Sequence, residues 1–476
     1  MTVMHLSEAA RAISARLRGE DRAFEAVSTD TRALAPRALF VALKGERFDG
    51  HDFLLQAAKQ RAAGALVQDP GSEIQDKSGA LPLLIVGNTR LALGQLAAYW
   101  RSKFSLPLVA LTGSNGKTTV KEMLASILRE TATAESRAAD PESGVLATRG
   151  NLNNDIGVPL TLLELRADHR YAVVEMGMNH AGEIRYLARL AAPDVALVNN
   201  VGPAHIEFFG SVEEIARAKG EIFEGLGPEG TAVINADDRY APILRELAAA
   251  RKRIEFGLES QAAVTAAYKL RFLDSEIVLK TPLGEAAAIL KAPGLHNVRN
   301  ALAASAAAVA LKVPAATIAA GLGRFAGVKG RLQYRAAVNG ATLIDDTYNA
   351  NPESARAALA VLGRAPGEKL LVLGDMGELG TDAAALHTEI GNAARALGVD
   401  RVYTLGELSA HAARAFGTGA RHFDRLEDLL AEIEHRLAPS VTVLVKGSRF
   451  MRMERIVRAF ALEGEATGEK REGARP

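Results

Sequence analysis

The sequence contains no cysteine, which excludes disulfides, thiolate metal sites and a cysteine nucleophile and fits a reducing compartment. It also has almost no excess charge: 57 Lys and Arg stand against 56 Asp and Glu, a formal balance of +1. No global field points to a nucleic acid or an acidic membrane, so charge has to act locally. A long apolar run is missing too. The most apolar stretch, ALAASAAAVALKV, is dominated by alanine and falls short of the roughly 18 consecutive apolar residues that a spanning helix needs. The N-terminal MTVMHLSEAARAISARLRGED spaces its apolar residues like one amphipathic helix and has no h-region before a small-residue cleavage site, so it does not read as a signal peptide. No repeat occurs at solenoid periods. These absences lead to the expectation of a cytoplasmic monomer with no nucleic-acid partner and no integral membrane segment.

What is present is an ordinary globular composition, 48% hydrophobic and 24% charged over 476 residues. That length exceeds what one core supports, and three domains are expected. Short β-branched or Leu-rich runs alternate with longer Ala/Leu/Arg helical patterns. PLVALTG, YAVVEMG, DVALVNNVG, TAVINAD, TLIDDTYNAN, KLLVLGD, RVYTLGE and VTVLVKG each stop at Gly, Asn or Asp. This rhythm predicts parallel βαβ units, whose ligands gather at the carboxyl ends of the strands. Breaks fall at YWRSKFSLP and at the glycine-rich, basic FAGVKGRLQYR, giving domains over 1–104, 105–328 and 329–462. The polar tail 463–476 has no apolar periodicity and reads as disordered.

The strongest local signal is TGSNGKTT between the strand PLVAL and the helix VKEMLASILRE. Backbone N–H groups of such a turn and of the helix start converge on one point, which suits an anion. Lys117 would neutralise phosphate oxygens and Thr118 would be the natural Mg²⁺ ligand. Gly113 and Gly116 enclose only Ser114 and Asn115, so the loop is a shortened variant of the usual pattern, which keeps four residues between its glycines. A triphosphate cradle needs ligands from neighbouring strand ends. Glu175 ends YAVVE, His205 follows VALVNN in a Gly-Pro turn, and His180 is a second histidine candidate. Lys219, taken alone, reads as a surface helix lysine. His387, His411, His422 and His435 lack metal spacing and read as surface residues.

TGSNGKTT, GNLNNDIGVPLTLL, EMGMNHAGEI, NNVGPAHIEFFGS, AKGEIF, GLHNVRNALAA, GRLQ, DDTYNANPES, GDMGELG and VKGSRFMRME occur in this order. In that order and over nearly the whole chain they resemble the Mur ligases, ATP-dependent amide-bond formers of peptidoglycan synthesis. The resemblance implies three α/β domains: a small one for the UDP end of the substrate, a central P-loop ATPase-like parallel sheet, and a C-terminal Rossmann-like domain that closes over ATP. It implies that Ser28, Asp30 and Arg32 lie near uracil and ribose, and Lys44, Asp49, Gly50 and His51 near the diphosphate. Asn151, Asn153 and Asn154 would meet the muramoyl-linked part. An insertion-like stretch, AESRAADPESGVLATR, precedes them and departs from the commoner pattern.

On the nucleotide side the resemblance adds Thr119, Asn297, Asn300, Arg331 and Asp346 to Gly113, Ser114, Asn115, Gly116, Lys117 and Thr118, with His296 a weaker neighbour. It implies that Lys219 is carbamoylated and joins Thr118, Glu175 and His205 as a magnesium ligand, and that Lys117, Glu175, His205 and Lys219 form the catalytic group. Asn349, Asn351, Asp375 and Lys446 are the candidates for the amine side. The motifs look most like those of the member that adds D-alanyl-D-alanine to UDP-N-acetylmuramoyl-tripeptide through an acyl phosphate, releasing ADP and phosphate. A relative with a different amine, of the Mur or folylpolyglutamate type, remains open. So does a P-loop kinase or hydrolase, although neither would need the first-domain and third-domain motifs.

Overall fold

A computed structural model describes residues 3–46, 48–68, 81–136, 144–203, 209–249 and 251–462. The candidate ligand His205, residues 137–143 of the insertion-like stretch and the tail 463–476 lie outside the described residues.

Among the described residues the chain builds three α/β domains. In the first, the strands Arg16–Arg18, Leu83–Val86, Gly64–Gln68, Ala38–Val41 and Ala26–Ser28 lie side by side in that order, parallel except for the edge pair Arg16–Arg18 with Leu83–Val86. The N-terminal segment departs from the single helix read in the sequence. Its helix covers only Leu6–Ala12, after Met4 and His5 pair with Phe24 and Ala23, and Ser14 at φ 53° keeps it from continuing.

The central domain carries the order Lys252–Phe256, Thr231–Asn235, Val195–Val198, Leu108–Thr112, Tyr171–Glu175 and Val145–Ala147, all parallel. The inner strands are buried along their whole length, as expected of a parallel sheet covered on both faces. An antiparallel three-stranded sheet, Thr265–Leu270, Ser275–Thr281 and Gly284–Leu290, packs beside it. In the third domain the order is Gln333–Ala336, Thr342–Asp346, Val441–Lys446, Glu368–Gly374, Arg401–Leu405 and Ala420–Phe423, with only the edge strand Gln333–Ala336 antiparallel. No described helix is long and apolar enough to cross a membrane.

The first and central domains share one continuous core. Leu93, Leu96 and Trp100 of the helix Thr89–Arg101 pack with Leu162, Leu165 and Leu187 of the central domain. The Trp100 indole N–H donates to Leu165 O at 3.1 Å, and buried Arg101 donates to Ala191 O at 3.0 Å, a cation set at the carboxyl end of the helix Glu183–Ala191. Gly94 allows the close approach, since a Cβ there would lie 2.0 Å from the Tyr186 hydroxyl. The third domain instead meets the central one mainly across polar groups, described next.

Candidate active site

Strand Leu108–Thr112 runs into the helix Lys117–Ser136, so that the turn 113–116 sits at the carboxyl edge of the sheet and at a helix N-terminus. The helix begins at Lys117, three residues earlier than its apolar pattern announces. Gly116 takes φ +76°, and a Cβ there would lie 2.3 Å from Asn300 Oδ1. The short loop is held by amides. Asn115 N–H donates to Asn200 Oδ1 at 2.8 Å, while Asn115 O accepts from Asn199 Nδ2 at 2.9 Å and Asn200 Nδ2 at 3.0 Å. Asn199 Nδ2 also reaches Asn300 Oδ1 at 3.0 Å, Asn300 Nδ2 donates to Asn297 Oδ1 at 3.1 Å, and Asn235 Nδ2 reaches Asn199 O at 3.1 Å. Asn297 and Asn300 therefore lie beneath the turn as buttresses.

This loop opens on a cleft of about 1110 Å³ between the central and third domains. The cleft brings together most of the nucleotide and amine candidates, including Lys117, Glu175, Lys219, Arg331, Asp346, Asn349, Asn351 and Lys446, with the substrate-side Asn151, Asn153 and Asn154. Ser28, Asp30, Arg32, Lys44, Asp49, Gly50 and His51 are not part of it. They cluster beyond the ends of Ala26–Ser28 and Ala38–Val41, in turns that they close themselves. Asp30 pairs with Arg32 at 2.6 Å; the His51 ring spans Asp49 Oδ1 at 2.5 Å and the Gln68 N–H at 2.9 Å.

Around the cradle, cations outnumber acids. Lys117 donates to Gly113 O at 2.8 Å. Burial lowers the Lys117 pKa, Glu175 opposes that shift and Arg331 adds to it. Lys219 is 3% exposed, which corrects its reading, taken alone, as a surface lysine: the helix Val212–Gly220 turns it inward, into the wall of the cleft. Burial, and then the charge of Lys117, pushes Lys219 well below the ordinary lysine range. Glu175 is 2% exposed; its Oε1 accepts from Asn153 Nδ2 at 2.8 Å, whereas its buried Oε2 has no hydrogen-bond partner among the described residues. A buried carboxylate oxygen left over fits a hard cation that takes oxygen ligands and completes its shell with phosphate and water. No group of three or more His, Asp or Glu that could hold a metal ion converges among the described residues.

From the third domain, Arg331 stacks on Tyr348, 4.3 Å from the ring centre, and donates to Thr118 Oγ1 at 3.3 Å. Asn351 Nδ2 reaches Asn115 Oδ1 at 2.8 Å, and Asn115 Nδ2 reaches Glu353 Oε2 at 2.7 Å. The same Asn351 caps the helix Pro352–Leu362. Asp346 and Lys446 form a buried pair at 2.6 Å, next to Asn349 O. Burial lowers half-buried His296 to about 4, against the opposing charge of Asp346. Asp375 lies behind the cleft wall and accepts from Ser409 N–H at 2.7 Å. Exposed His180 faces Glu183 at 3.1 Å.

Sequence reasoning missed Asn199, Asn200, Asn235, Tyr348 and Glu353. The Asn-Asn pair ending a strand beside the glycine turn was a usable signal for the first two. It also missed Lys121, which is fully buried one turn beyond Lys117 and donates to Thr148 O at 2.5 Å. His387, read as a surface residue, is 0% exposed, because the helix Ala383–Ala396 turns it onto the loop that follows Glu368–Gly374.

A parallel-sheet cradle fed by a small first domain and covered by a Rossmann-like third defines a class, and family models agree. Residues 23–101 match the Mur ligase family catalytic domain, 111–308 the Mur ligase middle domain, and 330–449 the Mur ligase glutamate ligase domain. The chain belongs to the Mur ligase family. It is 43% identical to the UDP-N-acetylmuramoyl-tripeptide--D-alanyl-D-alanine ligase of Escherichia coli, over 98% of this chain and 100% of that one. Among solved structures it is similar to MurF from Acinetobacter baumannii, with a TM-score of 0.87 and 37% identity over 96% of this chain and 98% of that chain. MurF from Thermotoga maritima, in complex with ADP, matches with a TM-score of 0.78 and 29% identity over 91% and 96% of the two chains.

Proposed function

We propose that this chain is a cytoplasmic, monomeric ligase that joins D-alanyl-D-alanine to UDP-N-acetylmuramoyl-tripeptide at the expense of ATP, giving the pentapeptide precursor of peptidoglycan, ADP and phosphate. In this reading residues 1–104 hold the UDP end, 105–328 the ATP and the reacting carboxylate, and 329–462 the amine. The observation that carries it is the cluster of Lys117, Lys219 and Arg331 near the buried carboxylate of Glu175, in the cleft onto which the glycine turn opens. Near-full-length likeness to relatives named for this reaction supports the choice of substrates.

The peptide carboxylate and the γ-phosphate are both anionic. Each pair of unit charges about 4 Å apart repels by roughly 4 kcal/mol at an effective dielectric near 20. Lys117 and Arg331 bind phosphate oxygens and remove part of that barrier, and a bound polyphosphate in turn favours the charged form of Lys117 that burial disfavours. Thr118 and Glu175 would hold magnesium, with His205 and a carbamate on Lys219 completing the ligands from this chain. When bound, magnesium neutralises phosphate oxygens and orients them. The depressed pKa of Lys219 supports carbamate formation, since only the neutral amine takes up CO₂. The carboxylate oxygen forms a bond to the γ-phosphorus as ADP leaves. The amine of D-alanyl-D-alanine then adds to the acyl carbon, loses a proton and expels orthophosphate. Arg331, Asn351 and Glu353 hold the third domain against the loop and keep water from the acyl phosphate.

Incubation with the tripeptide labelled by ¹⁸O in its terminal carboxyl tests this. One label is expected in the released orthophosphate, with ADP release dependent on D-alanyl-D-alanine among a panel of amines and abolished by EDTA. Orthophosphate free of label, or ADP release that needs no amine, would overturn it.

A further inference from the structure

The loop after the strand Glu368–Gly374 supplies Gly377, Glu378 and Leu379 to the third-domain wall of the cleft, beside Lys446 and Ser448. It is an awkward piece of chain, since Glu378 takes φ 60° and Gly380 does the same. Two anchors hold its start. Gly377 N–H donates to Ser448 Oγ at 2.9 Å, and Met376 N–H donates to His387 Nε2 at 3.0 Å. Ser448 Oγ itself donates to Ala350 O at 3.1 Å, so the two cleft loops of this domain share a tether.

His387 stands on the helix Ala383–Ala396 with no exposed surface. Its Nδ1 lies 2.7 Å from Ala383 O. A carbonyl oxygen only accepts and a backbone N–H only donates, so both partners demand the same ring: hydrogen on Nδ1 and a lone pair on Nε2. An imidazolium would set N–H against N–H at Met376. Burial lowers the ring's pKa against the weaker pull of the Ala383 carbonyl and then of Asp375, with His411 adding slightly to the lowering, and works in the same direction.

We propose that His387 is a positioning residue whose neutral, Nδ1-protonated ring fixes the 375–380 loop and thereby shapes the pocket for the incoming dipeptide. This rests on the reading above that the third domain receives the amine. Losing the ring leaves a buried Met376 N–H without its acceptor, which disfavours the arrangement that depends on it. The loss should appear in amine binding, because the phosphate loop and the substrate-side asparagines hang on other elements.

The test is steady-state kinetics of the full chain carrying His387→Leu or His387→Gln, with KM measured separately for D-alanyl-D-alanine, ATP and UDP-N-acetylmuramoyl-tripeptide. His387→Leu is expected to raise the dipeptide KM about tenfold while the other two stay within about twofold. His387→Gln, whose amide oxygen can take the Met376 N–H, should recover to within about threefold of the native value. In ¹⁵N NMR of the native protein the His387 ring should carry its hydrogen on Nδ1. An unchanged dipeptide KM in His387→Leu, an equal rise in all three KM values, or hydrogen on Nε2 would each overturn the proposal. If His387→Leu does not fold, the glutamine variant and the ring tautomer still decide. Native protein that forms no D-alanyl-D-alanine amide would instead overturn the functional reading.

Discussion

The molecule has two seams between domains, and they are built from opposite materials. Between the first and central domains the seam is a continuation of the core: Leu93, Leu96 and Trp100 interdigitate with Leu162, Leu165 and Leu187. Such packing is shape-specific and costly to open, so the first domain and the glycine turn keep a fixed separation. Between the central and third domains the seam is made of side-chain hydrogen bonds, Asn115 with Asn351 and Glu353, and Thr118 with an Arg331 that is itself stacked on Tyr348 of its own domain. Each is worth only about 0.5–1.5 kcal/mol net and is replaceable by water. Outside this polar set, the tip residue Phe272 of the small antiparallel sheet packs edge-on against Tyr334 at 5.2 Å. The lesson is a contrast in material: the seam between the first and central domains is apolar and rigid, whereas the seam that lines the cleft is polar and reversible.

Substitutions that act on one seam and spare the other sharpen this contrast. The largest effect is expected for Trp100→Ala, which removes a buried indole from the apolar seam and should lower unfolding free energy by about 3–5 kcal/mol in urea titrations. Next, Lys117→Ala should cut turnover by about a hundredfold to a thousandfold while leaving the urea midpoint in place, measured by ADP release. Arg331→Lys keeps the charge but loses the planar fork and the face stacked on Tyr348, and a roughly tenfold fall in kcat is expected with native stability. The smallest is Asn351→Ala, which removes the helix cap and the bond to Asn115; about 1 kcal/mol of stability should be lost, read from the thermal midpoint. Equal stability losses for Trp100→Ala and Arg331→Lys would erase the distinction between the seams.

Much of the strand content of the two larger sheets was open to reading because buried parallel strands are short β-branched runs ending in turn residues. All eight quoted runs, from PLVALTG to VTVLVKG, contain strands of the central and third sheets. The antiparallel strands Thr265–Leu270 and Gly284–Leu290 were not recognised, since TAAYKL and GEAAAIL carry little contrast between their faces. Lys117, Thr118 and Glu175 were legible because their chemistry is bound to a local pattern. Lys219 and His387 were misread on local grounds because burial is decided by what packs against a helix, which no period in the sequence states. The amide scaffold was invisible for a related reason. Asn115 meets partners 84 and 236 residues away in sequence, and asparagine is also the ordinary residue of solvated turns.

That scaffold has one further consequence. Carboxamides neither gain nor lose protons over the range in which proteins stay folded, so the outline of the anion cradle is indifferent to the acidity of its surroundings. Sensitivity of the cleft to acidity arises instead in the ionisable groups that border this frame, among them Lys117, Lys219, His296 and Glu353, rather than in the frame itself.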